Sequence, residues 1–304
     1  MRVTVLAGGT GAAKFVRGLI RVVPAADLSV IVNTGDDLEW WGLHVSPDLD
    51  TICYELGGLL DVVRGWGRGG ETFHCRDAMA SLGRSAWFNV GDRDLATHLF
   101  RTERLRGGAT LSEVTAELCA RFGIASRVLP MTNQHVSTIV TIDDGDVPFQ
   151  EFFVERRHEG NVTAVRFEGA TGSTPAPGVL DSLSAADVVV IAPSNPITSV
   201  GPILAVPGIA EALSKSKVVA ISPIIGDAAF SGPAAKLMAM KGLPVSAAGV
   251  ALAYRPFLSV LLADETDRGQ ESAIRAAGAR PVFAGIRIRD TADAERLARE
   301  ALDA

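Results

Sequence analysis

The sequence predicts an α/β fold in which a doubly wound, mostly parallel sheet carries a helical insertion and an added β-hairpin. Three observations support this prediction. The chain begins with an apolar strand at residues 3–6 that runs through a glycine-rich turn into a helical stretch from Phe15. Short apolar strands and helical segments then alternate along most of the chain, which is typical of βαβ units. Polar residues follow several of these strands, at the edge where parallel sheets bind ligands.

The turn after the first strand is a candidate phosphate-binding site. Gly8, Gly9 and Gly11 would bring bare backbone N–H groups and the positive end of a helix dipole around one point. Thr10 lies in the same turn, and Lys14 follows within reach of a bound anion. The spacing matches neither GxGxxG, because Lys14 occupies the third glycine position, nor the Walker motif. A plain tight connection is the alternative.

Strand and helix signals can be assigned in order on both sides of a central segment. A helix is predicted over residues 15–23 and a buried strand, rich in β-branched side chains, over residues 28–32. In the second half, a helix at 178–186 precedes an apolar strand at 188–192, and another strand follows at 218–221. Further helices are expected near 233–240, 250–255, 270–276 and 292–301, with strands near 245, 259–262 and 281–283.

The central segment differs from the rest of the chain in residue composition and hydrophobic pattern. Residues 53–123 show short amphipathic helical patterns and connections rich in Gly and Arg, with few β-branched runs. This predicts a mainly helical insertion between the two parts of the core, residues 1–52 and 124–304. Thr110 is a candidate N-cap for its last helix, residues 111–122.

A β-hairpin is expected directly after the insertion. Residues 137–142 and 148–154 alternate between polar and apolar side chains, and the turn between them is rich in Asp and Gly. Residues 162–167 are a candidate third antiparallel strand.

Composition limits the classes of partner. The 304 residues are 47% hydrophobic, enough for one main domain that carries the insertion. A net charge of −6 argues against a nucleic-acid partner, and the longest apolar runs have strand length rather than membrane length. Three cysteines, an odd number, fit no disulfide framework. A cytoplasmic protein with no membrane partner is therefore expected.

Four aspartates in two neighbouring loops are the sharpest chemical signal. Asp36 and Asp37 follow the second strand, and Asp48 and Asp50 lie one residue apart shortly afterwards. Converging carboxylates would repel one another unless a cation or hydrogen-bond donors stood between them. With a phosphate turn nearby, Mg²⁺ is the natural mediator because it takes oxygen ligands and bridges to phosphate. The alternative is turn and N-cap aspartates that face water.

Other polar residues are candidates for binding a nucleotide. Pro193, Ser194 and Asn195 follow the strand at 188–192, where proline stiffens the loop and Ser and Asn offer neutral hydrogen bonds to a base or sugar. Asn33 lies at the carboxyl end of the second strand, where ligands also bind. In the insertion, Arg93 stands between two aspartates, where it forms either a structural ion pair or a ligand contact.

Eight short motifs follow one another along the chain. They are GGTG at 8–11 with Lys14, NTGDD at 33–37, SPDLDT at 46–51, WG at 66–67 with ETF at 71–73, GDRDLATH at 91–98, PMT at 130–132, APSNPI at 192–197 and SPIIG at 222–226. Taken in this order, they resemble the 2-phospho-L-lactate transferases of deazaflavin coenzyme F-420 biosynthesis. The likeness runs from residue 1 to about residue 267 without large gaps.

The resemblance implies a Rossmann-like core with a helical insertion, Mg²⁺ as the cofactor, and a homodimer. It also implies transfer of a 2-phospholactyl group, or its phosphoenolpyruvyl or phosphoglyceryl analogue, from a guanosine-diphosphate-linked donor to the ribityl hydroxyl of the deazaflavin Fo, with release of GMP. The family's nucleotide contacts match the turn at 8–11, Ser194 and Asn195. Its deazaflavin contacts match Asp50 and Asn89.

On this basis we hypothesise roles for the acidic side chains. Asp36 and Asp50 bind Mg²⁺, with Asp37 or Asp48 as a further ligand, and Asp50 or Asp48 orients or deprotonates the ribityl hydroxyl. Backbone amides of the glycine turn and Lys14 stabilise the leaving GMP phosphate. Arg93 joins Asp50 and Asn89 as a candidate deazaflavin contact. The aromatic candidates for stacking on the deazaflavin, or simply for the core, are Trp40, Trp41, Trp66, Trp87 and Phe88.

Two rival functions come from other classes. A non-catalytic nucleotide-sugar-binding regulatory protein of the same superfamily would share the glycine-rich start, but the motifs at 71–73 and 91–94 resemble the transferases instead. A nicotinamide-dependent oxidoreductase is disfavoured by the poor GxGxxG match and by the lack of an acidic residue at the end of the second strand.

Overall fold

A computed structural model describes residues 1–230 and 232–304. Its strands are β1 (Val3–Ala7), β2 (Leu28–Val32), β3 (Leu38–Trp40), β4 (Leu43–Val45), β5 (Arg127–Pro130), β6 (Ser137–Ile142), β7 (Gly145–Pro148), β8 (Val162–Glu168), β9 (Val188–Ile191), β10 (Val218–Ile221), β11 (Ile224–Ile225), β12 (Ala228–Ala229), β13 (Val260–Asp264) and β14 (Arg280–Ala284). Its α-helices are α1 (Gly9–Leu19), α2 (Pro47–Leu56), α3 (His74–Ser81), α4 (Asp92–Arg106), α5 (Leu111–Arg121), α6 (Val179–Ala185), α7 (Gly201–Ala205), α8 (Ile209–Leu213), α9 (Ala234–Met240), α10 (Ala247–Ala253), α11 (Glu271–Ala276) and α12 (Thr291–Asp303).

Seven strands form one sheet in the order β14-β13-β10-β9-β1-β2-β5, and every neighbouring pair runs parallel. The predicted α/β fold is therefore confirmed. From the central β1 the chain first builds outward through β2 to β5, and then returns to the other side of β1 with β9. The carboxyl ends of β1 and β9 flank the point where the strand order reverses, which is where open α/β sheets bind ligands.

Apolar layers cover both faces of the sheet. Val3 and Val5 of β1 contribute to one layer and Leu6 to the other, as the two-residue period of a strand requires. On the first face, α1 packs against α12. Gly18 permits this approach, because a Cβ at that position would stand 2.1 Å from the backbone of Ala294. Among the described helices, none is both long and apolar enough to span a membrane.

The first helix begins earlier than the sequence predicts. The pattern indicates a helix over residues 15–23, whereas α1 spans Gly9–Leu19 and Gly8 is its N-cap, with an extended backbone. The glycine turn is therefore the first turn of the helix itself. Its N–H groups are among the donors that an α-helix leaves unpaired at its N-terminus.

The segment between β4 and β5 contains α2 to α5, which agrees with the expected helical insertion. The predicted N-cap at Thr110 is confirmed: its hydroxyl accepts a hydrogen bond from the Glu113 N–H, and the Glu113 carboxylate accepts one from the Thr110 N–H. The proposed boundary at residue 53 falls inside α2, which starts in the core segment. The domain boundaries stay a prediction.

The predicted hairpin and its third strand are confirmed as the antiparallel sheet β7-β6-β8. The second strand was predicted at residues 148–154, and this is wrong beyond Pro148. The observed strand, β7, spans Gly145–Pro148 and takes in part of the predicted Asp- and Gly-rich turn. The chain then forms a short helical turn at Glu151–Glu155, which buries Phe149 and Phe152 in the main core. Burial of these aromatic side chains outweighs the alternating pattern that predicts a longer strand.

Two other local differences from the sequence prediction occur. The strand expected near residue 245 is replaced by the start of α10, where the Ser246 hydroxyl accepts a hydrogen bond from the Gly249 N–H and caps the helix. Two short antiparallel ribbons, β3-β4 and β11-β12, were not predicted. The turn of the first ribbon uses positive φ angles at Trp41 and Gly42, and a tryptophan is an uncommon residue for that conformation.

Candidate active site

A cavity of about 680 Å³ lies at the carboxyl edge of the parallel sheet, beside the ends of β1 and β9, where the strand order reverses. This volume is within the range of sites for small organic ligands. Asp36 and the start of α2 also line it, and the insertion contributes Trp66, Phe88 and Asn89. The residues predicted to bind a nucleotide that line the cavity are Gly8, Gly9, Thr10, Gly11, Lys14, Pro193, Ser194 and Asn195.

The glycine turn is shaped by close approach of the loop that follows β9. A Cβ at Gly11 would stand 2.3 Å from the carbonyl oxygen of Pro193, and one at Gly8 would stand 2.6 Å from the Cβ of Ser199. The Ser194 hydroxyl donates a 2.8 Å hydrogen bond to the Gly8 carbonyl and ties the two loops together. A side chain at either position would therefore clash with the loop after β9. At the start of α1 the N-cap residue Gly8 makes no side-chain cap, and the Gly9 N–H is bonded to Asp48.

Asp48 lies in the first turn of α2 and lines the cavity. Its carboxylate accepts a 2.8 Å hydrogen bond from the Gly9 N–H and a 3.0 Å bond from the Asn33 side-chain amide. Burial raises the pKa of Asp48 to about 6, although both hydrogen bonds favour the charged form. Asn33 is not among the described residues that line the cavity. Its side-chain amide helps to position the Asp48 carboxylate. The predicted contact of Asn33 with a nucleotide stays a prediction.

Asp36 also lines the cavity and is 5% exposed. Burial raises the pKa of its carboxyl well above the usual range, and the nearby charge of Asp48 raises it further. In the described part of the chain, its Oδ1 has no hydrogen-bond partner, and neither has the buried hydroxyl of Thr198, which lines the same cavity. Unpaired oxygen atoms beside a second carboxylate are the ligands that a hard cation such as Mg²⁺ takes.

Asp37 is held within the protein by His44 of β4 and by Ser46, the N-cap residue of α2. Its Oδ2 is 2.9 Å from the His44 ring nitrogen and accepts a 2.7 Å hydrogen bond from the Ser46 hydroxyl. Burial raises the pKa of Asp37, while the hydrogen bond and charge of His44 oppose that change. Asp37 is absent from the described residues that line the cavity. Its role as a metal ligand stays a prediction.

Asp50 is paired with Arg101 of α4 rather than directed into the cavity. Arg101, 2% exposed, donates two hydrogen bonds to this carboxylate, one of them 3.1 Å long. Although burial disfavours its charge, Asp50 keeps the pKa of Arg101 above its ordinary value. Of the described residues that line the cavity, none is Asp50. Its predicted roles as metal ligand, base and deazaflavin contact all require this ion pair to rearrange.

Helix geometry explains why Asp48 and Asp50 do different things. In the sequence the two residues are predicted to be neighbours in a loop, which would allow both carboxylates to converge on one cation. They lie instead in the first turn of α2, with Pro47 as its first residue. Positions two residues apart on an α-helix differ by about 200°, so one side chain faces the cavity and the other faces away from it. The structure therefore corrects the expectation that the two carboxylates converge.

Asp50 also belongs to a buried cluster with Asp94 and His98 of α4. The ring nitrogens of His98 lie 3.6 Å from an Asp50 oxygen and 3.5 Å from an Asp94 oxygen, and the Tyr54 hydroxyl donates a 2.6 Å hydrogen bond to Asp94. Asp50, Asp94 and His98 are close enough together to hold a metal ion. Arg101 already supplies a positive charge at this point, so the geometry favours a closed ionic network that joins α2 to α4.

The two other predicted deazaflavin contacts are separated. Asn89 lines the cavity, and its side-chain oxygen accepts a 2.8 Å hydrogen bond from Arg76. Arg93 lies outside the cavity lining, in the first turn of α4, where its guanidinium donates to the Gly69 carbonyl and its backbone N–H donates to Glu71. The structure therefore favours a structural role for Arg93, and its predicted contact with a deazaflavin stays untested.

Aromatic side chains line the cavity. Trp66 and Phe88 of the insertion, two of the predicted aromatic candidates, line it. Phe88 also packs in one aromatic cluster with Trp40, Trp41 and Trp87, in which Trp40 is buried. Phe149 and Phe153, which were not predicted, line the cavity as well, and their rings stack with centroids 5.6 Å apart and an interplanar angle of 4°. Both residues lie in the alternating segment at 148–154 that predicts a strand. The helical turn that forms there instead is what brings their rings to the cavity.

The loop between β14 and α12 is the other missed part of the site. Ile286, Arg287, Ile288 and Arg289 all line the cavity. Arg287 lies 5.9 Å over the ring of Phe230 and, within the described residues, has no acidic partner. The sequence signal was present, because an alternating Ile-Arg run follows a predicted parallel strand, at the edge where ligands bind.

Comparison with known proteins agrees on one family. The family model described as 2-phospho-L-lactate transferase CofD matches residues 3–299. A phosphoenolpyruvate transferase of Streptomyces griseus is 45% identical over 100% of this chain and 98% of its own, and a 2-phospho-L-lactate transferase of Methanosarcina acetivorans is 42% identical over 97% and 96%. A crystal structure of a UPF0052 family protein from Bacillus halodurans has a TM-score of 0.68 at 19% identity over 99% of this chain and 98% of its own, which supports the fold alone.

Proposed function

The chain belongs to the 2-phospho-L-lactate transferase CofD family, and on that premise we propose that it attaches a phosphorylated three-carbon acid to a deazaflavin in coenzyme F-420 biosynthesis. The donor in this proposal is a guanosine-diphosphate-linked phospholactate, or its enolpyruvyl or glyceryl analogue. The acceptor is the terminal ribityl hydroxyl of Fo, and the leaving group is GMP.

One observation carries the proposal: the start of α1 and two buried carboxylates face the same cavity. Helix N-termini bind phosphate through free N–H groups and the helix dipole. Asp36 and Asp48 line the cavity beside that turn. A protein that only binds a nucleotide needs the turn but gains nothing from two carboxylates that repel each other and the diphosphate. A transferase needs such groups to hold a cation and to accept a proton.

In the proposed reaction, a ribityl oxygen attacks the phosphorus that carries the three-carbon acid. A new bond forms between this oxygen and the phosphorus. The bond from the phosphorus to the oxygen that bridges to the α-phosphate breaks, and GMP leaves with that oxygen. The hydroxyl proton passes to Asp48. Transfers of this kind depend on positioning and charge neutralisation rather than on a protein nucleophile.

Asp48 suits the role of proton acceptor. A pKa of about 6 keeps it ionised at neutral pH and close enough to neutrality to take a proton in the transition state. Its hydrogen bond to the Gly9 N–H uses a donor that the diphosphate also needs. In our proposal the diphosphate replaces the carboxylate at Gly9, which frees one Asp48 oxygen to accept the ribityl proton.

Mg²⁺ fits the oxygen atoms around Asp36. In the described part of the chain, Asp36 Oδ1 and the Thr198 hydroxyl are buried without partners. Bound there, the ion would neutralise negative charge on the diphosphate. Asp37 and Asp50 remain candidate ligands from the sequence, and each would first have to leave the partners that hold it.

The remaining lining suits the two ends of the substrates. Lys14 and Arg287 supply positive charge for the anionic donor. Trp66 and Phe88 of the insertion offer aromatic contacts for the deazaflavin rings. Phe153, whose ring stacks between those of Phe149 and His158, adds apolar contact. A homodimer in the cytoplasm is the assembly and location implied by the family resemblance, and light scattering of the purified protein tests the assembly.

The decisive experiment is a transfer assay. The protein is incubated with Fo, Mg²⁺ and each guanosine-linked donor, and GMP and the deazaflavin product are followed by chromatography and mass spectrometry. We expect both products in equal amounts with at least one donor, and neither without Fo. Tight binding of a donor with no release of GMP would favour the regulatory alternative.

A further inference from the structure

We propose that a small side pocket beside the main cavity binds the three-carbon acid of the donor and determines which acid is transferred. This inference rests on the proposed function and specifies its substrate site. The side pocket has a volume of about 110 Å³. The residues of its lining that carry the argument are Thr10, Lys14, Arg17, Leu60, Val62 and Arg289.

The side pocket adjoins the main cavity at the phosphate turn. Thr10, Lys14, Ile288 and Arg289 line both spaces. Lys14 lies on α1 just after the glycine turn, and Arg17 lies about one turn further along the same helix. A diphosphate held at the start of α1 would therefore direct the group on its second phosphate past Lys14 and into the side pocket.

Size separates the possible occupants. At about 110 Å³, the side pocket has roughly a sixth of the volume of the main cavity. A carboxylate joined to a carbon with a methyl, methylene or hydroxymethyl group is small enough for such a space. A guanine or a deazaflavin ring system is too large for it and belongs in the main cavity of about 680 Å³.

The side pocket is positive overall, which suits a carboxylate: Lys14, Arg17 and Arg289 line it together with one acidic side chain, Asp290. The Asp290 carboxylate accepts a hydrogen bond from the Asp293 N–H at the start of α12. Within the described residues, Lys14 has no hydrogen-bond or ion-pair partner. Arg17 is fixed by two hydrogen bonds to Glu55, of 2.7 and 2.6 Å, which use its Nε and one terminal nitrogen. Its other terminal nitrogen has no partner in the part of the chain that the structure describes. Arg289 is held in the same way by Asp293. Pre-oriented guanidinium groups recognise planar carboxylates well.

The opposite side of the pocket comes from the insertion and is apolar. Leu60 and Val62 contribute there, and Val62 is 67% exposed. These side chains can contact the methyl or methylene group that distinguishes one three-carbon acid from another. Because Val62 lies in an exposed connection, its size can change without disturbing a packed core.

A steric variant tests the proposal with a matched control. Val62→Phe would fill the side pocket, whereas Val63→Phe adds the same bulk one residue away, at a position that is 92% exposed and outside the described lining. Calorimetry without Fo measures binding of GDP and of the guanosine-linked phospholactate and enolpyruvyl donors. We expect Val62→Phe to weaken donor binding at least about tenfold and GDP binding less than about twofold, with neither changed in Val63→Phe. Arg289→Gln should show the same selective loss.

The outcomes separate this inference from the proposed function. Equal weakening of GDP and donor would mean that the side pocket holds the nucleotide, and equal behaviour of both phenylalanine variants would mean that it holds nothing specific; either result overturns the inference. A wild-type protein that binds the donor with the expected variant pattern, but releases no GMP with Fo, overturns the proposed function alone. Failure of the wild-type protein to bind any donor contradicts both.

Discussion

Replacing Asp48 by Asn should slow the transferase and change how its stability depends on pH. The Asp48 side chain is buried and accepts hydrogen bonds from the Gly9 N–H and the Asn33 amide. An Asn side chain has nearly the same shape but cannot accept the ribityl proton, and it brings no charge into the protein. One substitution therefore tests the catalytic role of the carboxylate and the cost of burying it.

Proton linkage gives the size and sign of the stability effect. The pKa of Asp48 rises from 3.8 to about 6 on folding because of burial. The folded state therefore binds this proton more tightly than the unfolded state, and its contribution to stability is greatest below pH 3.8 and is lost as the pH rises through about 6. A difference of roughly 2 pKa units, at about 1.4 kcal/mol each, amounts to roughly 3 kcal/mol. Asp48→Asn should gain about that much relative to wild type between about pH 4 and pH 7.

Urea unfolding at several pH values measures this difference, and GMP release measures turnover. We expect turnover to fall by about 10² to 10⁴-fold, the usual contribution of a positioned acid or base. Asp303→Asn, at an exposed position near the end of α12, is the control and should follow the wild-type curves. Unfolding free energies of wild type and Asp48→Asn that run parallel across the pH range, or unchanged turnover, would refute the reasoning.

Three other substitutions test separate parts of the site. Asp50→Asn leaves Arg101 buried without its counter-charge, so the free energy of unfolding measured in urea should drop by about 3–5 kcal/mol. Turnover should be at least about tenfold lower, with GDP binding nearly intact. Unchanged turnover would remove Asp50 from the mechanism. Asp36→Asn should raise the Mg²⁺ concentration for half-maximal turnover at least about tenfold, as expected for a lost charged ligand; an identical Mg²⁺ titration contradicts its role. Gly11→Ala should abolish GDP binding because its Cβ would stand 2.3 Å from a carbonyl of the loop after β9, whereas Gly172→Ala, with open space around it, should bind GDP normally.

Much of the fold was predictable because it depends on local signals. Continuous apolar runs of strand length identified β2, β9 and β10, and the glycine turn marked the edge of the sheet at which the cavity lies. The residues of that edge could be predicted because parallel strands bring their carboxyl ends together whatever the details of the connections.

The parts that could not be predicted depend on helical phase and on distant contacts. Asp48 and Asp50 look equivalent in the sequence until Pro47 is recognised as the first residue of a helix, which sends their side chains to different sides. The pairing of Asp50 with Arg101 joins positions 51 residues apart and has no local signal. Arg287 enters the cavity from the far end of the chain, because β14 is the edge strand of the same sheet.

The two sides of α2 connect the chemistry to the insertion. On one side, Asp48 carries a buried charge that costs stability and contacts the phosphate turn. On the other side, Asp50 satisfies its charge with Arg101 and so holds α2 against α4 of the insertion. Because α2 spans only ten residues and moves as one unit, the ion pair on one side helps to fix the position of the buried Asp48 carboxylate on the other. The insertion also contributes to the main cavity and the side pocket, and this ion pair holds it in a fixed position relative to the phosphate turn.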